Sequence, residues 1–300
     1  MEAAPGWILA PAPVTGLALR VAPGLPAPVV DALVNLLRRD GVADLPRLGT
    51  SRRALVGRLV VDGRAWVVKR YLNPRLFLLR TLWQRSKAER EAEALRLIAA
   101  RTGNPIQAVA WGERRALGMV PVSWLVTSEL TDAVDLRRLR RSDDPAERAW
   151  VKQVVLRDLP ARLAGLHRAG IAAGNLMAKN VLLQRGTETL ALIDQPHARA
   201  WTGLSERQRL WDLACLFREL RHGLSEEESR AFLRDYLAAL GASPSALPAA
   251  EDALARAVAH RAHETPLRRL WHAARGWFKR TRAGQLATGH RYPEDQERAA

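Results

Sequence analysis

An α+β protein of two lobes is the fold class that this 300-residue chain predicts. Three observations point there. Strand-like runs dominate the first half, helical periodicity dominates the second, and an Asp62-Gly63 turn separates two β-rich runs. Strands followed by helices, rather than alternation of the two, is the α+β pattern. With 48% hydrophobic residues, the chain is long enough for one large or two modest cores.

Residues 1–30 are rich in Pro, Ala and Gly and read as a loosely ordered arm. ALVGRLVV (54–61) and RAWVVKRY (64–71) form a hairpin, because Asp-Gly supplies the positive φ that a tight turn requires. SKAEREAEALRLIAA (86–100) opens on a capping box, Ser86 with Glu89 three residues on, and predicts a helix. SWLVTSEL (123–130) predicts another strand. Helices follow at 146–169, broken or kinked at Pro160, and at 205–222 and 226–240, with two short strands around RGTE between them. The divisions expected are an arm at 1–44, a strand-rich lobe at 45–130, a helical lobe at 131–250 and a basic tail at 251–300.

The balance of 47 basic to 31 acidic residues gives a net charge of +16, which favours anionic partners. Residues 256–291 carry nine Arg or Lys against Glu264 alone, a local net of +8. The single cysteine, Cys215, excludes an internal disulfide and reads as a small core residue in WDLACLFREL. Prolines break the apolar run near the start, and no stretch reaches the ~18 apolar residues of a spanning helix. A cytoplasmic protein, soluble or peripheral on a membrane, is the expectation.

Four residues carry the chemistry. Lys69 shares a strand face with Ala65 and Val67, so its amine projects from an apolar surface or reaches solvent at the strand end. Glu91 falls between Leu95 and Ile98 on the apolar stripe of its helix, whereas Glu89 and Glu93 point away. A carboxylate there needs a partner, and Lys69 is the natural candidate. Asn180 begins one strand and Asp194 ends the next. At the open ends of a hairpin, such residues serve either turn chemistry or a hard cation. Five positions before Asn180 stands Asn175, in GNLMAKN.

In this order the residues resemble a protein-kinase-like fold, and in detail the bacterial lipopolysaccharide core kinases, which phosphorylate heptose or Kdo sugars. The words that carry the resemblance are VVKRY, RSKAEREAEAL, LHRAGI, KNVLL, LID and WDLACLFREL, spanning about residues 45–240. The resemblance implies ATP and Mg²⁺ as cofactors and a lipopolysaccharide core sugar as acceptor. It implies that Lys69 holds the nucleotide phosphates, that Glu91 pairs with it, and that Asn180 and Asp194 hold Mg²⁺. Asp212 would brace the catalytic-loop backbone. RLGTSRRALVG (47–57) would cover the phosphates, with Gly49 as its nearest glycine. The chain departs from the pattern at Ala173, at Gln195-Pro196, and above all at Asn175, which stands where the family places the catalytic aspartate. An amide does not accept a hydroxyl proton near neutral pH. Two readings therefore stand: a slow kinase, and a pseudokinase that binds nucleotide as a scaffold.

The tail sequence LRRLWHAARGWFKRTR places Leu267, Leu270, Trp271, Ala274 and Phe278 on one helical face and most arginines elsewhere. It reads either as an interfacial helix on an anionic membrane, through 256–291, or as a helix docked on the helical lobe. A nucleic-acid-binding role is disfavoured, because no helix-turn-helix, zinc or RNA-module signature is present.

Overall fold

Described here from a computed structural model are residues 6–10, 16–51, 54–73 and 75–262. They divide into a strand-rich unit, drawn from 7–89 and 111–125, and a helical unit, drawn from 90–110 and 126–262.

The strand-rich unit starts with β1 (Ile8–Leu9), β2 (Leu17–Val21) and α1 (Ala27–Arg38). It continues with β3 (Arg47–Ser51), β4 (Ala54–Val61) and β5 (Arg64–Leu72). After the start of α2 (Lys87–Thr102), the chain returns in β6 (Ala108–Ala116) and β7 (Met119–Ser128). The seven strands form one sheet in the order β1-β2-β6-β7-β5-β4-β3. The hairpin of β4 and β5 runs in uninterrupted antiparallel register from Ala54↔Tyr71 to Val61↔Arg64. Its turn has φ of 50° at Asp62 and 74° at Gly63, the left-handed pair that the sequence specifies. One face of β5 buries Trp66 and Val68, while Ala65, Val67 and Lys69 share a half-buried face.

The N-terminal segment differs from the expected loose arm. Leu17, Leu19 and Val21 alternate inward from β2 and are buried, so the strand joins the sheet despite the Pro- and Gly-rich residues around it. Next, α1 buries Val29, Leu33, Leu36 and Leu37. The Arg114 guanidinium donates to the terminal carbonyls of Leu37 and Arg38 at 3.1 and 3.2 Å, satisfying groups that a helix end leaves open. β7 begins four residues before the expected strand at 123, and β6 is an element that periodicity does not announce.

The helical unit contains most of α2, then β8 (Ala133–Asp135), α3 (Arg138–Arg141), α4 (Pro145–Arg157) and α5 (Leu159–Arg168). There follow β9 (Ile171–Ala172), β10 (Val181–Gln184), β11 (Leu190–Leu192) and β12 (Arg199–Ala200). Last come α6 (Glu206–Leu220), α7 (Glu226–Leu240) and α8 (Leu247–Ala262). The expected break in 146–169 falls at Asp158, which leaves Pro160 in the first turn of α5, where its missing N–H costs nothing. Capping boxes at Ser205/Gln208 and Ser225/Glu228 fix where α6 and α7 start. Their inner faces meet in a core that includes Val154, Leu163, Leu213 and Cys215, with Phe217 edge-on to Phe232 at 5.0 Å. β10 pairs with β11 and with β8, so Asn180 and Asp194 flank the same end of one hairpin. The tail from residue 263, including the proposed aromatic face, lies outside the described residues.

Candidate active site

Between β9 and β10 the segment Ala173–Asn180 is held by one fully buried side chain. Asp212, on the second turn of α6, accepts the backbone N–H of Gly174 on Oδ1 at 2.7 Å and that of Ala173 on Oδ2 at 2.6 Å. A buried carboxylate requires hydrogen-bond partners, and these two fix the loop backbone in return. His167 Nε2 lies 3.4 Å from the same Oδ2, and its Nδ1 lies 2.7 Å from the Tyr236 hydroxyl. Burial, foremost, pushes the Tyr236 phenol above its ordinary range, so its hydroxyl keeps its proton. The Asp212 carboxylate only accepts, so Nε2 donates to it, and in the neutral ring Nδ1 is left to accept the Tyr236 hydroxyl. A buried line thus runs from α7 through α5 to α6 and the loop.

Gly174 has φ of +71°, and a Cβ there would stand 3.1 Å from His197 Cβ. Leu176 and Ala178 are buried and anchor the rest of the loop. The Asn175 backbone oxygen accepts from Met177 N at 2.9 Å and from Asn180 Nδ2 at 3.0 Å. The Asn180 amide also reaches the Asp194 backbone oxygen at 3.5 Å, and Asn180 O accepts from Ile193 N at 2.9 Å. Asn175, Asn180 and Asp194 are therefore brought to one place. The Asn175 side chain makes no hydrogen bond to another described residue. Asp194 itself has φ of +52°, a sparsely populated conformation for a residue other than glycine. After it Gln195 is fully buried, and neither atom of its amide head has a hydrogen-bond partner among the described residues.

This donor set suits a hard cation. Asn180 commits its Nδ2 to two carbonyls, which leaves Oδ1 as the ligand end, and the Asp194 carboxylate adds further oxygens. Among the described residues no cluster of three or more His, Cys, Asp or Glu occurs. A cation held here would draw its remaining ligands from water and phosphate, as Mg²⁺ does.

The other expected site residues lie on separate elements. Lys69 is on β5 in the strand-rich unit. Glu91 is fully buried near the start of α2, in line with the stripe read from the sequence, while Glu93 is exposed. Gly49 is exposed in β3, where a Cβ would meet open space. Gly57 has a packing reason instead, since a Cβ there would stand 2.7 Å from Leu45 Cβ. His167 and Tyr236 had no assigned role in the sequence. LHRAGI contained the histidine, but nothing local announces a tyrosine 69 residues away.

A strand-rich unit, a helical unit and a braced loop leading to an Asn/Asp pair define a protein of the two-lobed protein-kinase-like fold. The chain belongs to the lipopolysaccharide kinase (Kdo/WaaP) family, which it matches over residues 56–236. Membership makes it one of a kinase family, with ATP as the implied phosphate donor. A solved structure of WaaP in complex with acyl carrier protein has the same fold at a TM-score of 0.53 and 24% identity. That match covers 74% of this chain and 90% of the WaaP chain. Among curated proteins none matches the chain. No helix of the described residues is long and apolar enough to cross a membrane.

Proposed function

We propose that the protein is an ATP-dependent phosphotransferase of the lipopolysaccharide core type, slowed by the amide at Asn175. In this reading Lys69 holds the nucleotide phosphates, Glu91 pairs with it, and the strand pair bearing Gly49 covers them. Asn180 Oδ1 and the Asp194 carboxylate hold Mg²⁺, whose charge screens the phosphate oxygens when it is bound. Residues 45–130 and 131–250 serve as the two lobes. The basic segment 256–291 keeps the protein at an anionic membrane surface, near its glycolipid acceptor.

The observation that carries the reading is the loop itself, pinned by Asp212 at one end and by Asn180 at the other. In the transfer, a sugar hydroxyl oxygen bonds to the γ-phosphorus as the bridge to the β-phosphate breaks. The hydroxyl proton must leave, and with no carboxylate at 175 it goes to an oxygen of the transferred phosphate or to water. The Asn175 amide can orient that hydroxyl through its carbonyl but cannot take the proton, so a contribution of typically ~10²–10⁴-fold is forgone. Positioning and electrostatics, which dominate phosphoryl transfer, remain. The second reading, a nucleotide-binding pseudokinase scaffold, is favoured by the same residue.

Thermal-shift titration with Mg–ATP tests the shared premise. Binding to the native state raises its melting temperature, and Lys69→Ala and Asp194→Ala should each reduce that rise. Asn175→Asp then separates the two readings. A slow enzyme should gain at least about tenfold in phosphotransfer to a lipopolysaccharide core acceptor. Two inert forms would support the scaffold, and a fast wild type slowed by the substitution would overturn the assignment of Asn175.

A further inference from the structure

Two segments distant in sequence meet at one end of the strand-rich unit. One is the 3₁₀ segment Arg75–Leu82 after β5, and the other is the Leu117-Gly118 turn between β6 and β7. Asn73 ties the first to the second, its N–H donating to Pro121 O at 2.9 Å and its amide to Val120 O at 2.8 Å. Thr81 adds a second tie, its hydroxyl accepting from Val120 N at 2.8 Å and donating to Leu78 O at 2.6 Å. Leu82 lies on the turn, its Cδ2 3.1 Å from where a Gly118 Cβ would be.

This fixed junction exposes large apolar side chains. Leu79 is 62% exposed, Leu82 46%, Trp83 73% and Leu117 91%. Leu79 and Leu82 are three apart on a 3₁₀ turn and so share one face. Leu117 is the most telling. Its φ is +50° and that of Gly118 is +76°, a turn in which Asn or Asp is the usual first residue. A leucine there is strained and contributes almost nothing to the protein's own core. Its choice opposes the local fold, and such conflicts point to function.

The charge around the apolar tip is mainly positive. From Leu78 to Ala88 the chain holds Arg80, Arg85 and Lys87 and no acid. Arg85 is 69% exposed, with Glu89 only at 3.7 Å. Arg115 donates to Gly118 O at 2.8 Å and to the buried Glu113 carboxylate at 2.7 Å, which places a guanidinium beside the turn. The Lys87 amine lies over the Tyr71 ring.

We propose that this tip inserts into anionic lipid bilayers. Leu79, Leu82, Trp83 and Leu117 enter the interfacial zone, and Arg80, Arg85 and Arg115 meet the lipid phosphates. Projecting Leu and Trp side chains with basic residues beside them match a lipid interface in polarity and charge. The insertion requires neither phosphate transfer nor the basic tail.

The test uses the full chain. Leu117→Cys, with Cys215 buried, accepts an environment-sensitive fluorophore at the tip. Its emission should shift to the blue on vesicles containing phosphatidylglycerol and stay unchanged on pure phosphatidylcholine. The double variant Trp83→Ser/Leu117→Asn should keep its stability, since asparagine suits the turn, and should bind the anionic vesicles at least about tenfold more weakly. Vesicle binding with an unshifted label would assign attachment to the tail and overturn the proposal. So would equal binding by the double variant. A solution dimer abolished by the double variant, with no vesicle binding by either form, would make the tip a protein interface instead.

Discussion

Asp212→Ala tests whether one buried carboxylate holds the loop. The substitution removes the acceptor of two backbone N–H groups, at 2.6 and 2.7 Å, and of His167 Nε2 at 3.4 Å. Hydrogen bonds to a carboxylate are each worth ~1.5–3 kcal/mol, and a buried donor left alone costs about 1–3 kcal/mol. Ala173 is fully buried, so its N–H carries the whole cost, whereas half-buried Gly174 can recover part of it from water. The long His167 contact adds little. The sum is a loss of about 2–4 kcal/mol, a large share of a typical ~5–15 kcal/mol stability. Urea unfolding should show a lower midpoint at unchanged slope, and the Mg–ATP thermal shift should fall with it. Asp212→Asn should lie between, because its amide NH₂ faces one of the two N–H donors. A change below about 1 kcal/mol for the alanine variant would mean that water or a rearranged loop satisfies both donors, and the brace would be discarded.

Gln195→Leu should stabilise the protein by roughly 1–2 kcal/mol, because it replaces a buried amide that has no partner among the described residues by an apolar side chain of similar size. A melting temperature that falls would show that the amide has a partner in solution. Glu147 governs part of the acid response. A hydrogen bond with Ser142, then Arg185 and Arg138, holds its carboxyl below the usual 4.5. The unfolded chain therefore takes up the proton first, and the stability from this group, complete above the unfolded value, is lost as pH falls through the folded one. Glu147→Gln should be less stable than the wild type at neutral pH, and the gap in urea midpoint should close on acidification. A gap independent of pH would remove the ion pair from the account.

What was legible in the sequence was what local chemistry dictates. Asp62-Gly63 specified its hairpin, Ser86 its helix start, and the run before Pro160 its break. β2 was hidden because five alternating residues sit among prolines and glycines, and because its neighbour in the sheet, β6, lies about ninety residues on. β6 itself mixes AVAW with GERRA, and Glu113 is buried in it, so neither period emerges. At the site, Asn175, Asn180 and Asp194 were legible together, since a short loop and a hairpin set their spacing. Tyr236 and His167 were not, for their contact depends on how α5 packs against α7. The orphaned amide of Gln195 is a property of packing that no spacing reveals.

The brace and the proposed loss of a base at Asn175 differ in what they ask of the protein. Replacing a buried ion pair, both partners together, by apolar residues of similar volume is often neutral or stabilising, so a loop that needs only to pack has no need of a buried carboxylate. A carboxylate that takes two successive N–H groups sets the backbone direction of Ala173 and Gly174, and through them the place of Asn175. Such control is useful to a slow kinase that must orient a hydroxyl. It is equally useful to a scaffold, because the same loop leads to Asn180 and the cation position proposed there. Fold, brace and nucleotide binding are thus common to both readings. Only the fate of the hydroxyl proton differs, and a single carboxylate restored at residue 175 acts on that step alone.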